Sequence, residues 1–321
     1  MKQKTHISNV LDSNYCKDRY DTQVKKVLSD KTILSWILKY TTSEFKDYPI
    51  EQIKSCIEGE PEVGTHRVFP SLAPEHPTPE AITGMDTVDK VPGEGDITYD
   101  IRFYVITPTK ERVKLIVNVE AQKDFYPGYD LVTRGIFYCA RMIAAQKETE
   151  FTGSDYDKIK KVYSIWICMD VPISAQHTIS TYKLGHHMLY GDLQEKFRYD
   201  LMELIMIYLG NSDSKNKGNS LHKMLDTLLS PDLKPHEKEK ILSDDFGIET
   251  TTEQEGGLRE MCNLSDLIEE RGMEKGDRLR LLTQIKKKLA KGKTPAQIAD
   301  ELEETVETIL PLYEQALQEN T

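Results

Sequence analysis

The sequence predicts an α/β fold, a mixed sheet flanked by helices, on three observations. Residues 97–105 in part, and 113–122 more clearly, alternate apolar and polar positions with the two-residue period of a strand. A helical segment, DLVTRGIFYCARMIAAQ, comes next. It is followed by KVYSIWICMDVP, apolar on both sides, which suits a strand covered on two faces.

In chain order, KTILSWILKYTTSEF at 31–45 places Ile33, Ile37, Thr41 and Glu44 near one side with Leu34, Leu38 and Phe45 beside it, the pattern of an amphipathic helix. Residues 61–95 carry six prolines and several glycines and predict a mostly irregular surface stretch. The two alternating segments are joined by Thr107–Glu111, short enough for a hairpin. In the second of them Val113, Leu115, Val117, Val119 and Ala121 share one side, and Lys114, Ile116, Asn118, Glu120 and Gln122 the other. The helix after Pro127-Gly128 puts Asp130, Arg134, Tyr138 and Arg141 on one face, and it allows a right-handed crossover to a parallel strand at 160–172. DLQEKFRYDLMELIMIYL, 192–209, reads as a further helix. The polar run after Gly210 reads as a linker, and from about 220 the pattern is helical, with weak order expected at 245–258. Near the end, Thr294 caps a helix that starts with Pro295, and Thr305 caps VETILPLYEQAL, a tandem resembling a helix-turn-helix. The expected division is therefore a sheet domain over 1–212 and a helical extension over 213–321.

A chain of 321 residues, 38% hydrophobic, is long enough for one full core and a smaller second unit. It has no signal-peptide-like start and no window approaching a membrane span, so a cytoplasmic protein without membrane contact is expected. Five scattered cysteines suit reduced core thiols. The pair His186-His187 is a weak metal hint beside its surface reading. A net charge of −11 disfavours whole-surface attraction to nucleic acid, although residues 274–293 hold eight Lys or Arg against two acids.

The candidate site comes from Asp100 and Glu120, which neighbouring strands bring to one sheet margin. Paired carboxylates repel unless a hard cation such as Mg²⁺ or Mn²⁺ lies between them. Gln122 projects on the same side as Glu120. The spacing alone also fits the polar face of a half-exposed sheet. Asp96 is the rival to Asp100; the strand-like IRFYV directly after Asp100 favours the latter.

The ordered set D-x-R at 100–102, NVEAQ at 118–122, YPGY at 126–129, RGIFYCARM at 134–142 and KKVYSIWICMDVP at 160–172 resembles the Rpn/transposase-associated branch of the PD-(D/E)XK nuclease superfamily, over about residues 30–210. The resemblance implies a restriction-endonuclease-like core, an Mg²⁺ or Mn²⁺ cofactor held by Asp100 and Glu120, and Gln122 at the usual lysine position. Gln lacks the charge and the titratable amine of Lys. It also implies an acid from the first core helix, for which Glu44 is the positional match, with a solvated acid as the alternative. Arg134 and Tyr138 match R-x-x-x-Y, as phosphate contacts or supports for Glu120; pairing of Arg134 with Asp130 is the other reading.

The expected function is metal-dependent hydrolysis of DNA phosphodiester bonds, with a link to mobile DNA through the family. The alternative is a catalytically silent DNA-binding or protein-assembly module. DNA is the expected partner. Lys286, Lys287, Lys288, Lys291 and Lys293 are candidates to track phosphates, whereas VETILPLYEQAL has two Glu and no Lys or Arg, which suits self-association through the helical region.

Overall fold

A computed structural model describes residues 18–63, 88–91, 95–109, 114–210, 218–230, 232–250 and 252–318. The chain forms two compact units, one of Arg19–Cys262 and one that takes in Asn263–Thr321.

The larger unit is α/β. It opens with helix α1 (residues 18–28), α2 (Lys31–Thr41) and α3 (Ile50–Cys56). The strands are β1 (Glu62–Val63), β2 (Val88–Val91), β3 (Gly95–Thr98), β4 (Ile101–Ile106) and β5 (Lys114–Asp124). After helix α4 (Leu131–Ala144) come β6 (Val162–Asp170), β7 (Thr178–Lys183) and β8 (Met202–Tyr208), then helices α5 (Ser220–Leu229) and α6 (Pro235–Phe246). The main sheet has the order β1-β4-β5-β6-β8-β7, and β2 pairs with β3 separately. β4 and β5 are the expected antiparallel pair, whereas β5–β6 and β6–β8 are parallel.

Both faces of the central strands are covered. On one, Val162, Trp166, Cys168, Leu204 and Met206 form a core with Leu131, Tyr138, Cys139 and Met142 of α4. On the other, Val117, Val119, Ile165, Ile167, Ile205 and Ile207 are also buried, and the Tyr163 hydroxyl on this face donates to Glu44, just beyond α2. Burial of Trp166 alone is worth about 2–3 kcal/mol. Burial pushes the thiols of Cys139 and Cys168 up to about 12, as expected of inert core cysteines.

Three sequence expectations need correction. Residues 192–209 are not a helix: 184–201 are irregular and exposed, and Met202–Tyr208 is β8. Its Leu and Met favour helix, but a seven-residue segment that pairs on both sides and buries both faces is stabilised as a strand. The strand expected over 97–105 breaks at Tyr99-Asp100, between β3 and β4. Of 245–258, expected to be weakly ordered, 247–250 are irregular, but 252–258 belong to helix α7 (Thr252–Leu289), where Leu258 and Met261 are buried and Gly257 lies against Val27 of α1.

In the second unit the end of α7, α8 (Pro295–Leu302) and α9 (Val306–Gln318) share a core of Leu282, Ile285, Ile298, Ala299, Ile309, Leu312 and Ala316. Thr294 caps α8 by accepting from the Gln297 N–H, and Thr305 accepts from the Thr308 N–H at the start of α9. No helix among the described residues is long and apolar enough to cross a membrane.

Glycines in two helices separate packing from propensity. A Cβ at Gly135 of α4 would lie 2.5 Å from Leu204 Cδ1, and Leu204 is fully buried with no room to yield. Overpacking of about 1–3 kcal/mol then outweighs a propensity gain of about 1 kcal/mol, so Gly135→Ala is expected to destabilise. Gly256 of α7 has open space, and Gly256→Ala is expected to stabilise by about 0.4–1 kcal/mol. Thermal melts of the two variants should shift in opposite directions.

Candidate active site

The register of β4 against β5 sets Ile101 opposite Val119, so Asp100 and Glu120 are the next rung. There the two strands clasp each other. The Asp100 backbone N–H donates to Glu120 Oε1 at 3.1 Å, and the Ala121 N–H donates to Asp100 Oδ2 at 2.9 Å. The bend at Tyr99-Asp100 sends these neighbours in different directions. The Tyr99 ring meets Tyr138 of α4 edge-on at 5.4 Å, while Asp100 faces Lys25 of α1. Lys25 Nζ lies 2.7 Å from Asp100 Oδ1 and 3.0 Å from Asp21 Oδ2, one helical turn back.

α4 supplies the other side of the site. Asp130 caps this helix by accepting from the Thr133 N–H at 2.9 Å. Arg134 does not pair with Asp130: it donates to the hydroxyls of Tyr129 and Tyr138, each at 2.7 Å, and its guanidinium lies 5.3 Å from the Trp166 ring centre. Arg134 and Tyr138 thus form one unit whose positive charge acts on Glu120.

The electrostatics are those of a buried, mutually repelling carboxylate pair. Burial, then the neighbouring Asp100, raises the Glu120 carboxyl well above the usual range, against the pull of the Asp100 N–H, Arg134 and Lys25. Burial also raises Asp100, opposed mainly by Lys25. The Lys25 ammonium is disfavoured by burial but held charged by Asp100 and Asp21, with a net rise. Burial and the Glu120 charge push the Tyr138 hydroxyl up to about 12. Lys25 and Arg134 are the cations that act on Glu120, and Asp21 adds its charge to that of Asp100 beside Lys25.

Other expected site residues lie differently. Glu44 accepts from the Tyr163 hydroxyl at 2.6 Å and lies 3.3 Å from Lys161 Nζ. Tyr163 is three rungs before Trp166, the residue paired with Glu120, so it stands about 10 Å back along β6 and on the opposite face of the sheet. Glu44, held by the Tyr163 hydroxyl, is therefore not part of the Glu120 site. The acid beside the pair is instead Asp21 of α1. Gln122 shares the Glu120 side by alternation, but its amide donates to the Asp124 carbonyl at 2.5 Å. Asp96 is paired with Lys90 in the two-stranded sheet, and its side chain lies outside the described residues. His186 lies in the exposed 184–201 segment, its ring 5.9 Å from that of Tyr199. Among the described residues no group of three His, Cys, Asp or Glu is arranged to hold a metal ion.

Lys25 and Asp21 escaped sequence reasoning. Their signal was a lysine inside the apolar stripe of a helix: Lys25 is buried alongside Tyr20, Val24 and Leu28, and a buried lysine requires an acid. No protein-family model, no curated protein and no solved structure matches the chain.

The raised carboxyls make a signed prediction. A native Glu120 that titrates above its unfolded value of about 4.3 binds more protons than the unfolded chain between the two values. Stability therefore falls as pH rises through that window. Glu120→Gln is expected to melt above wild type near neutral pH, with the difference closing by about pH 4. Lys25→Met should destabilise by about 3–5 kcal/mol, because it leaves buried carboxylates without their ammonium. Asp100→Asn should cost less, since Lys25 keeps Asp21. Urea unfolding of the two variants checks that order.

Proposed function

We propose that the protein is a metal-dependent nuclease of the PD-(D/E)XK type that hydrolyses DNA phosphodiester bonds, with Asp100 and Glu120 as ligands of Mg²⁺ or Mn²⁺. The observation that carries this reading is the Asp100–Glu120 clasp, in which two carboxylates with raised pKa values share one rung at the end of the buried sheet. The donor set fits a hard divalent cation. Mg²⁺ is commonly held by one or two carboxylates together with water and phosphate oxygens, and a dication would offset the repulsion between Asp100 and Glu120.

When bound, such an ion supplies a water of lowered pKa and neutralises charge on the phosphate. The chain's own residues do the rest. Asp100 and Glu120 orient their oxygens through the two backbone N–H bonds, which need no rearrangement. Arg134, fixed by Tyr129 and Tyr138, offers a guanidinium for a phosphate oxygen. Gln122 orients by hydrogen bonding, once its amide leaves the Asp124 carbonyl.

A second reading has one observation in its favour. Lys25 already satisfies Asp100 at 2.7 Å, so the acids can serve to fasten α1 to the sheet in a silent DNA-binding or assembly module. Nicking of supercoiled plasmid in Mg²⁺ or Mn²⁺ separates the two. Wild type is expected to nick, and Asp100→Asn and Glu120→Gln to lose roughly 10²-fold or more. Equal DNA retention with and without EDTA, and no nicking, would establish the silent module.

A further inference from the structure

We propose that the outer edge of β7, together with the 184–201 arm, is the interface through which two copies of this chain form a symmetric dimer. β7 ends the main sheet: it pairs antiparallel with β8, and no strand lies beyond it among the described residues. Its sequence, TISTYK, is rich in β-branched residues and holds no proline, no glycine and one charge, Lys183, at its end. The edge therefore lacks the features that protect solitary edges: inward charges, proline or a bulge.

The arm extends this edge. Residues 184–201 leave β7 and return to β8 as two legs, with the ring of His186 5.9 Å from that of Tyr199. The returning leg is rooted, because the Arg198 guanidinium donates to the carbonyls of Asp157 and Ile159 at 2.6 Å each. Yet its large apolar side chains face solvent: Leu189 is 92% exposed, Tyr190 97% and Phe197 62%. Apolar exposure concentrated in one rooted segment marks a contact surface.

Two features select a second copy as the occupant. First, β7 is complementary to itself. Antiparallel pairing about a two-fold axis through Ser180 sets Ile179 against Thr181 of the other copy and Thr178 against its Tyr182. Each strand then gains β-branched and aromatic–β-branched cross-strand pairs, and within β7 no like charges oppose. Second, the surface is electrically neutral. Residues 178–201 hold three Lys or Arg and three acids on a chain of net charge −11, so two acidic copies can approach here without the repulsion that the rest of the chain imposes.

Sedimentation velocity of the full chain across a concentration series tests this. Wild type is expected to show a dimer boundary that grows with concentration. The double variant Leu189→Glu/Tyr190→Glu, in side chains that bear no part of the core, is expected to lose that boundary with its far-UV circular dichroism unchanged. Ile179→Lys should lose it too. A wild type that stays monomeric at every concentration, with the arm open to limited proteolysis, would assign the surface to a different protein and overturn the proposal. A dimer that survives both variants would place the interface elsewhere and overturn it equally.

Discussion

Burial of both faces of β5, β6 and β8 is the constraint from which the other features follow. A strand buried on one side offers its second face to water, and polar residues can stand there freely. Here Leu115 to Glu120 are all buried, and only from Ala121 onward does β5 emerge. Glu120 is the last residue within the dry region. Its carboxylate is fixed where desolvation acts on it strongly, one residue short of the point where water would relieve it. The same covering explains why α4 must come close enough for Gly135 to touch Leu204, and that approach sets Arg134 and Tyr138 over Trp166.

Charge at this margin is arranged rather than minimised. Replacing a buried ion pair by apolar groups is often neutral or stabilising, so the Lys25–Asp100 contact is not explained by stability alone. A purely structural clasp would need one acid and one lysine. The margin instead gathers Asp21, Asp100 and Glu120 around Lys25, with Arg134 on the far side. Burial that raises the Asp100 and Glu120 carboxyls is a cost to the fold where they ionise. Under the nuclease reading that charge is put to use, which ties the proposal to the pH dependence expected of Glu120.

What the sequence revealed depended on how local the determining physics was. The β4–β5 hairpin, α4 and β6 were legible because alternation, a helical run after Pro127-Gly128 and a two-sided apolar run are short-range signals. The Asp100–Glu120 rung followed from the hairpin. β8 was misread because MELIMIY contains residues that favour helices, and only its neighbours β6 and β7 decide the matter. The approach of Lys25 to Asp100 joins residues far apart in the chain, and no pattern within either segment specifies it. Glu44 shows the same limit from the other side. Its place near the helix end was legible, but its partners, Tyr163 and Lys161, lie far off in the chain, where no local pattern names them.

Under the nuclease reading, the two units differ in what they offer a nucleic acid. The basic run near the end of α7 is partly neutralised within its own unit, since Lys288 and Lys293 both pair with Glu301, whose carboxyl they hold down at about 2. Lys287 and Lys291 remain exposed, but α9 adds no Lys or Arg and shows solvent Val306, Leu310 and Leu317. A major-groove reader needs donors and cations on its leading helix, and this helix has neither in quantity. By contrast, Arg134 donates to the exposed Tyr129, and Tyr126 and Phe137 on the neighbouring loop and helix are exposed as well. Aromatic faces next to a fixed guanidinium bind unstacked bases and backbone phosphate without reading sequence. Under the nuclease reading, then, substrate engagement belongs to the α4 side of the Arg19–Cys262 unit, and it should tolerate many sequences.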